Sequence, residues 1–399
     1  MKSVALSILA LLLLGVGVFF LSIVGLQQFD AYQHRLMSPT GLNEALVAIA
    51  TTSAQLKHDK KIVYGFLPYW TIKTAQIPQQ LTNVGYFSIS VDKDGNFVTR
   101  QDGYAEPGWR TYNSAELERV RTVTSEQHQK LEILITMMTA DDIASFLTNK
   151  SAQVTFQTNL RQFIHSQPLD GVNMDVEYAG DVTDQLRAAL TQVIADTSQT
   201  VHSVDPNAEV SIDIFADSAT RQRLYDVSAL APHVDHIIVM TYDFFRASSP
   251  QSGPVAPVFG SDKNRWDSDI ATNLKVLIQQ APPEKILLGI PFYGYEWRTS
   301  GDAPGSSTYP KTGELATYKR VHELLVGQKA QEQWDADALS PFLTYNDNGK
   351  TQMIFYENSR SLSYKLDLVN NTDLGGIAIW ALGYEGSTRE LWDVIGQKL

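Results

Sequence analysis

The sequence predicts a closed (β/α)8 barrel, and three observations carry that expectation. Eight short runs rich in apolar, β-branched and aromatic residues recur along the chain. Most of the gaps between them place apolar residues three and four apart, the period of a helix packed on one face. No glycine-rich phosphate fingerprint follows the first run, which disfavours an open doubly wound sheet. Strands alternating with helices of this length read as parallel βαβ units. Eight of them close into a barrel whose chemistry is expected at the C-terminal strand ends.

The runs are, in order, KIVYGFLPYW (61–70), NVGYFSISV (83–91), EILITMM (132–138), GVNMDVEY (171–178), EVSIDIF (209–215), HIIVMTYD (236–243), KILLGIPFYG (285–294) and GGIAIWAL (375–382). SAELERVRTVTSEQHQK, between the second and third, and DVTDQLRAALTQVIADTSQTVHSV, between the fourth and fifth, have helical spacing. The gap from PFYGYEW to GGIAIW is far too long for one helix. It holds a helix-like piece and then two strand-like runs around NDNG, a strong turn signal. Residues 297–357 are therefore expected to form a small α+β insertion on the barrel rim. A helix over 359–370 would then lead into the last strand.

The 399 residues are 43% hydrophobic and 19% charged, enough for one large barrel with a sizeable core. A formal charge of −12 disfavours a polyanionic partner such as nucleic acid. The absence of cysteine excludes disulfides, thiolate metal sites and a cysteine nucleophile. None of the eight histidines shows ligand spacing; His233 and His236 stand three apart without a third partner, so neither metal nor cofactor is expected. No GxSxG elbow supports a Ser/His/Asp hydrolase. A monomer is expected.

At the N-terminus, Lys2 precedes an uncharged, mostly apolar run from Val4 to Leu26. Roughly 20 such residues span a bilayer core, so residues 1–30 read as a membrane anchor, with a cleaved signal as the alternative. Positive-inside logic sends the rest of the chain outward. Residues 31–58 read as a juxtamembrane linker and 59–399 as the barrel.

The fourth run raises the chemical question. Side chains on a strand alternate, so Asn173, Asp175 and Glu177 point one way while Val172, Met174 and Val176 point the other. Residues two apart lie about 6.6 Å apart along the backbone, near enough for two carboxylates to interact. Like charges this close push one carboxyl to hold its proton near neutrality, which is what a general acid needs. The bland alternative is a hydrogen-bonded structural network inside the barrel. Glu177 comes last, at the C-terminal end where barrels do chemistry, which favours function.

DGVNMDVE resembles the DGxDxDxE signature of the family 18 glycoside hydrolases, the chitinase-like enzymes. It spans Asp170, Asn173, Asp175 and Glu177. Asn173 stands where the family usually has its middle Asp; bacterial members that act on peptidoglycan often show Asn there. YGFLPYW is similar to the family's first strand, MTYDF to its sixth, GIPFYGYEW to its seventh and LGGIAIWALGYEG to its eighth. The third strand, LITMMTADD, lacks the family's SxGG motif.

The resemblance implies hydrolysis of β-linked N-acetylglucosamine polymers, chitin oligosaccharides or peptidoglycan, with the substrate's own 2-acetamido oxygen as nucleophile. By that analogy Glu177 is the general acid and base, Asp175 holds the acetamide N–H, and Tyr242 donates to its oxygen. Asn173, Asp170 and Asp243 would support them. Trp380 would floor the site, with Met240, Phe66, Trp70, Tyr293 and Trp297 as further substrate-binding candidates. Trp109, Trp266, Trp334 and Trp392 read as packing or rim residues. The competing function is a catalytically silent, chitinase-like lectin of the envelope; such proteins typically lose the terminal Glu, which is present here.

Overall fold

A computed structural model describes residues 61–399 except Pro168 and Asn264. The expected anchor at 1–30 and linker at 31–58 lie outside the described residues. Among the described residues no helix is long and apolar enough to cross a membrane.

Eight parallel strands close into a barrel in sequence order: β1 (Ile62–Pro68), β2 (Asn83–Ser90), β3 (Lys130–Met137), β4 (Gly171–Val176), β5 (Glu209–Phe215), β6 (His236–Met240), β7 (Ile286–Pro291) and β8 (Gly376–Trp380). β1 pairs with β2 on one side and with β8 on the other, which seals the cylinder. Each of the eight expected runs supplies one strand. Both faces of these strands are buried, which is why they read as near-continuous apolar runs rather than alternating ones. One face, including Val63, Ile133, Val172, Val210 and Ile212, is buried in the layer between sheet and helices. The other fills the barrel, where Tyr64, Phe66, Leu134, Ile238, Leu287 and Ala378 form one cluster with Ile62, Phe87 and Trp380 against it.

The helix Asp184–Val204 shows why the gaps fold as they do. It buries Leu186, Leu190, Val193, Ile194, Thr197 and Val201 along a single stripe. The Thr183 hydroxyl accepts from the Leu186 N–H at 3.2 Å, capping the first turn, and Pro206 blocks continuation past Asp205. Helix Ser359–Asn371 starts in a capping box: Asn358 Oδ1 accepts from the Ser361 N–H at 3.0 Å, and Ser361 Oγ accepts from the Asn358 N–H at 2.9 Å.

Between β7 and β8 lies a five-stranded antiparallel sheet, ordered Glu314–Thr317, Tyr293–Arg298, Lys350–Phe355, Ser340–Asp347 and Gln331–Asp335. Asn348 (φ 51°) and Gly349 (φ 78°) make the two-residue turn that NDNG announces. The sheet begins at Tyr293 rather than at 297. It also contains more strands than the two expected, because ELAT and QEQWD are short, mostly exposed and lack a sustained apolar run. Its core is Trp297, Phe342, Met353 and Phe355, with Phe245 and Tyr295 packed against it.

The base of the barrel holds a polar network. The Asn83 amide donates to Glu132 (2.6 Å) and to Glu209 (2.9 Å). Glu209 also meets Lys130, and His236 at 3.5 Å. Burial pushes Glu209 up, but bonds and charge from His236 and Lys130 overcome it and bring this carboxyl down to about 2. Glu132 is deeper; burial pushes it up to about 7 despite the Asn83 bond.

Candidate active site

β4 delivers the site in layers. Asn173 is fully buried, and its amide donates across to β5, to Ser211 Oγ (2.9 Å) and Asp213 Oδ1 (2.8 Å). Asp175, one layer nearer the mouth, is 3% exposed, and its Oδ1 has no hydrogen-bond partner. β3 sets Thr136 level with Asp175, and the Thr136 hydroxyl is shared with Ser88 (3.0 Å) and Ser90 (3.3 Å). Past the strand end, the Glu177 N–H donates to Met137 O (2.9 Å) and continues the β3–β4 ladder one rung further. Its side chain is half-buried at the mouth.

β5 adds a third carboxylate. The β4–β5 register pairs Asn173 with Ser211 and Met174 with Ile212; one residue on, it sets Asp213 level with Asp175. Burial, then Asp213, then Glu177 push the Asp175 carboxyl well above the usual range. Burial also raises Asp213, opposed by the Asn173 bond and reinforced by Glu177 and Glu132. Glu177 is raised by burial; Arg246 pulls it down and Asp243 pushes it up. Desolvation in a cluster of like charges is the cause throughout.

β6 and β7 build the opposite wall. The Thr241 hydroxyl donates to Gly289 O (2.6 Å) and fixes the chain as it leaves β6. The Tyr242 ring lies over Gly289, where a Cβ would sit 3.0 Å from ring Cε1 and 2.5 Å from Val239 O, so only glycine fits without displacement. Burial, Asp213 and Asp175 hold the Tyr242 hydroxyl well above its ordinary value, so it stays a donor. Asp243 takes a left-handed backbone (φ 62°), uncommon for a residue with a side chain. The hydroxyls of Tyr293 and of Tyr295 (2.9 Å) donate to its Oδ1, and Arg246 Nε stands 3.7 Å from Oδ2. The rim insertion thus supplies the donors that hold Asp243.

Trp380 closes β8 as a partly exposed ring over Phe66 (centroids 5.5 Å) and Phe87 (4.8 Å), with Trp70 6.3 Å away and 48% exposed. Met240 ends β6 partly exposed. Among the described residues no group of three or more His, Cys, Asp or Glu could hold a metal ion.

Asp175, Glu177, Tyr242, Asp243, Met240, Tyr293, Trp70 and Trp380 therefore lie at the C-terminal ends of the strands, with Asn173 beneath. Three expected residues stand elsewhere. Asp170 lies at the N-terminal end of β4, across the barrel from Glu177; its Oδ2 accepts from the Leu131 N–H (2.7 Å) and pins β3 to β4. Trp297 is fully buried in the insertion core, its Nε1 donating to Arg246 O (3.1 Å), and offers no face to a sugar. Phe66 is 1% exposed beneath Trp380 and acts as its support. Sequence reasoning missed Asp213, Arg246 and Tyr295. The signal for Asp213 was present: SIDIF puts a lone carboxylate on the same alternation as Ser211.

The sequence profile of the Glycosyl hydrolases family 18 matches residues 54–385. The chain belongs to this family. Human di-N-acetylchitobiase is 24% identical over 257 residues, covering 59% of this chain and 65% of the relative. The cortical fragment-lytic enzyme of Bacillus subtilis is 25% identical over 321 residues, covering 76% and 65%. The chain therefore spans somewhat under two thirds of the length of these two curated family relatives. The Ostrinia furnacalis Group IV chitinase, solved with allosamidin, superposes with a TM-score of 0.73 at 19% identity, over 85% of this chain and 98% of that one, which shows the family's shared fold.

Proposed function

We propose that the chain hydrolyses β-linked N-acetylglucosamine-containing glycans with retention, by a substrate-assisted route that departs from the usual pair of working carboxylates. The observation that carries this reading is the pairing of a half-buried Glu177 at the mouth, its carboxyl raised by burial, with a buried Asp175 whose Oδ1 lacks any partner. A buried carboxylate oxygen without a donor is costly, and a substrate amide N–H would satisfy it.

In this mechanism the Glu177 carboxyl gives its proton to the glycosidic oxygen as the bond from C1 to that oxygen breaks. The 2-acetamido oxygen of the same sugar closes onto C1, giving an oxazolinium. Asp175 accepts from the acetamide N–H and offsets the positive charge that develops there. Tyr242 donates to the acetamide oxygen and steers it. The Glu177 carboxylate then takes a proton from water as that water attacks C1 and reopens the ring. The Trp380 indole gives the distorted sugar an apolar floor.

One relative is named for di-N-acetylchitobiose and another for cortical fragments, so chitin-type oligosaccharides and peptidoglycan both belong to the proposal. The apolar run at 4–26 places the action outside the cytoplasm in this reading. The test is incubation of the full-length chain and its Glu177→Gln variant with chitooligosaccharides and with purified peptidoglycan, products read by mass spectrometry. Cleavage by the parent alone supports the proposal and names the polymer. Binding without cleavage by the parent replaces it with a glycan-binding protein.

A further inference from the structure

The interior around Asp175 contains one carboxylate that the mechanism above does not use. Asp213 is 2% exposed, level with Asp175 on the neighbouring strand, and bonded to Asn173 at 2.8 Å. Adjacent strands lie about 4.8 Å apart, so two inward side chains at one level face each other directly. Asn173 gives both amide hydrogens to β5, one to Ser211 and one to Asp213, and its own Oδ1 has no partner. The amide therefore has no hydrogen left for Asp175, whose Oδ1 is likewise unpartnered.

Among the described residues, the groups that act on Asp213 carry no positive charge. Asp175 and Glu177 approach from β4, Glu132 from β3, Tyr64 from β1, Tyr242 from the end of β6, and Tyr225 from the loop after β5. The cations Lys130 and His236 sit lower, on Glu209 and Glu132 at the base. Two carboxylates side by side in such a place cannot both ionise, and one proton is retained between them.

We propose that Asp213 is a positioning residue for the reaction at Glu177: it shares one proton with Asp175 across the β4–β5 seam and, locked by Asn173, fixes the charge and orientation that Asp175 presents to substrate. In this layer the amide stands on strand four and the acid on strand five. Asn173 and Asp213 thereby form an exchanged pair, with the amide on β4 and the acid on β5. This inference rests on the proposed glycosidase reading. It involves no bond change beyond the position of that shared proton.

The exchange dictates the test. Asp213→Asn removes the acid, while Asn173→Asp with Asp213→Asn returns it to the same layer from the other strand, with overall charge and composition unchanged. The pH dependence of kcat/KM, together with kcat and KM separately, is measured for the full-length parent, the single variant and the double variant. Asp213→Asn is expected to lower kcat by roughly ten- to a hundredfold with KM within about twofold, the lower range for a group acting through a general acid. With no proton left to share, Asp175 carries the full negative charge beside Glu177, so Glu177 ionises less readily and the alkaline limb moves to higher pH. The double variant is expected to restore both.

Wild-type kinetics in Asp213→Asn overturn the inference. So does a double variant that folds yet stays as impaired as the single one, or failure of both variants to fold, since each makes Asp213 merely structural. Glu177→Gln, run alongside, separates the two readings. If it retains activity, the glycosidase assignment of Glu177 fails. If it is inactive while Asp213→Asn is normal, only the present inference fails.

Discussion

The two ends of one barrel handle buried carboxylates in opposite ways. At the base, Glu132 and Glu209 converge on the Asn83 amide, and Lys130 and His236 stand against Glu209. At the mouth, the Asn173 amide donates to Asp213 and Ser211 and leaves Asp175 without a hydrogen, and Arg246 is the cation that reaches Glu177. Glu209 is consequently brought down to about 2 while the deeper Glu132 rises to about 7, and at the mouth Asp175, Asp213 and Glu177 are all raised. The base is a network that has been given its counter-charges. The mouth is one from which they are withheld, and a substrate amide and a glycosidic oxygen are the groups that would complete it. Buried acid alone is no mark of a site; acid left without donors, at the end where the strands open, is.

That contrast breaks most sharply at Glu177. Glu177→Gln is expected to lower kcat by about 10² to 10⁴, the usual contribution of a general acid and base, with a thermal unfolding midpoint within about 2 °C of the parent. Equal activity in steady-state assays would place the chemistry elsewhere.

The base should answer in stability rather than rate. Glu132 titrates at about 7 when folded against an ordinary value of 4.5, so the folded state favours its protonated form. Its contribution is fully present below pH 4.5 and is lost as pH rises to 7, a change on the order of 3 kcal/mol. Glu209 has the opposite sign: its stabilisation is present above pH 4.5 and lost as pH falls towards 2. Glu132→Gln is expected to flatten the decline between pH 4.5 and 7 in chemical unfolding curves, while kcat stays unchanged. A variant that keeps the slope, or loses activity, would erase the distinction between the two ends.

Arg246→Ala tests the mouth's remaining cation. Arg246 pulls Glu177 down, so its removal lets Glu177 rise and moves the alkaline limb of kcat/KM to higher pH. The Arg246 side chain is 60% exposed and screened by solvent, so the shift should be about a few tenths of a unit. A shift to lower pH would contradict the assigned electrostatics.

Much of this was legible in the sequence, and the failures have physical reasons. The eight strands announced themselves because parallel barrel strands are buried on both faces. Asp175 and Glu177 were found because a period of two puts polar residues on one face of an otherwise apolar run. The same signature misled at Asp170, because a strand crosses the barrel from base to mouth and residues adjacent in a motif end on opposite faces. Trp297 and Phe66 were misread because aromatic identity says nothing about depth; both are covered by neighbours distant in sequence. Asp213 went unremarked because the second acid of EVSIDIF gains meaning only when β5 is registered against β4. Pairing of that kind is a tertiary fact.

The central claim is that the mouth cluster drives a retaining, acetamide-assisted hydrolysis through Glu177. Proton NMR of the first products released from a chitooligosaccharide by the full-length chain, with Glu177→Gln in parallel, tests it most directly. The account predicts that the new reducing end appears as the β-anomer before mutarotation, and that the variant yields no product. An initial α-anomer, or β-product from the variant at the parent's rate, would contradict it.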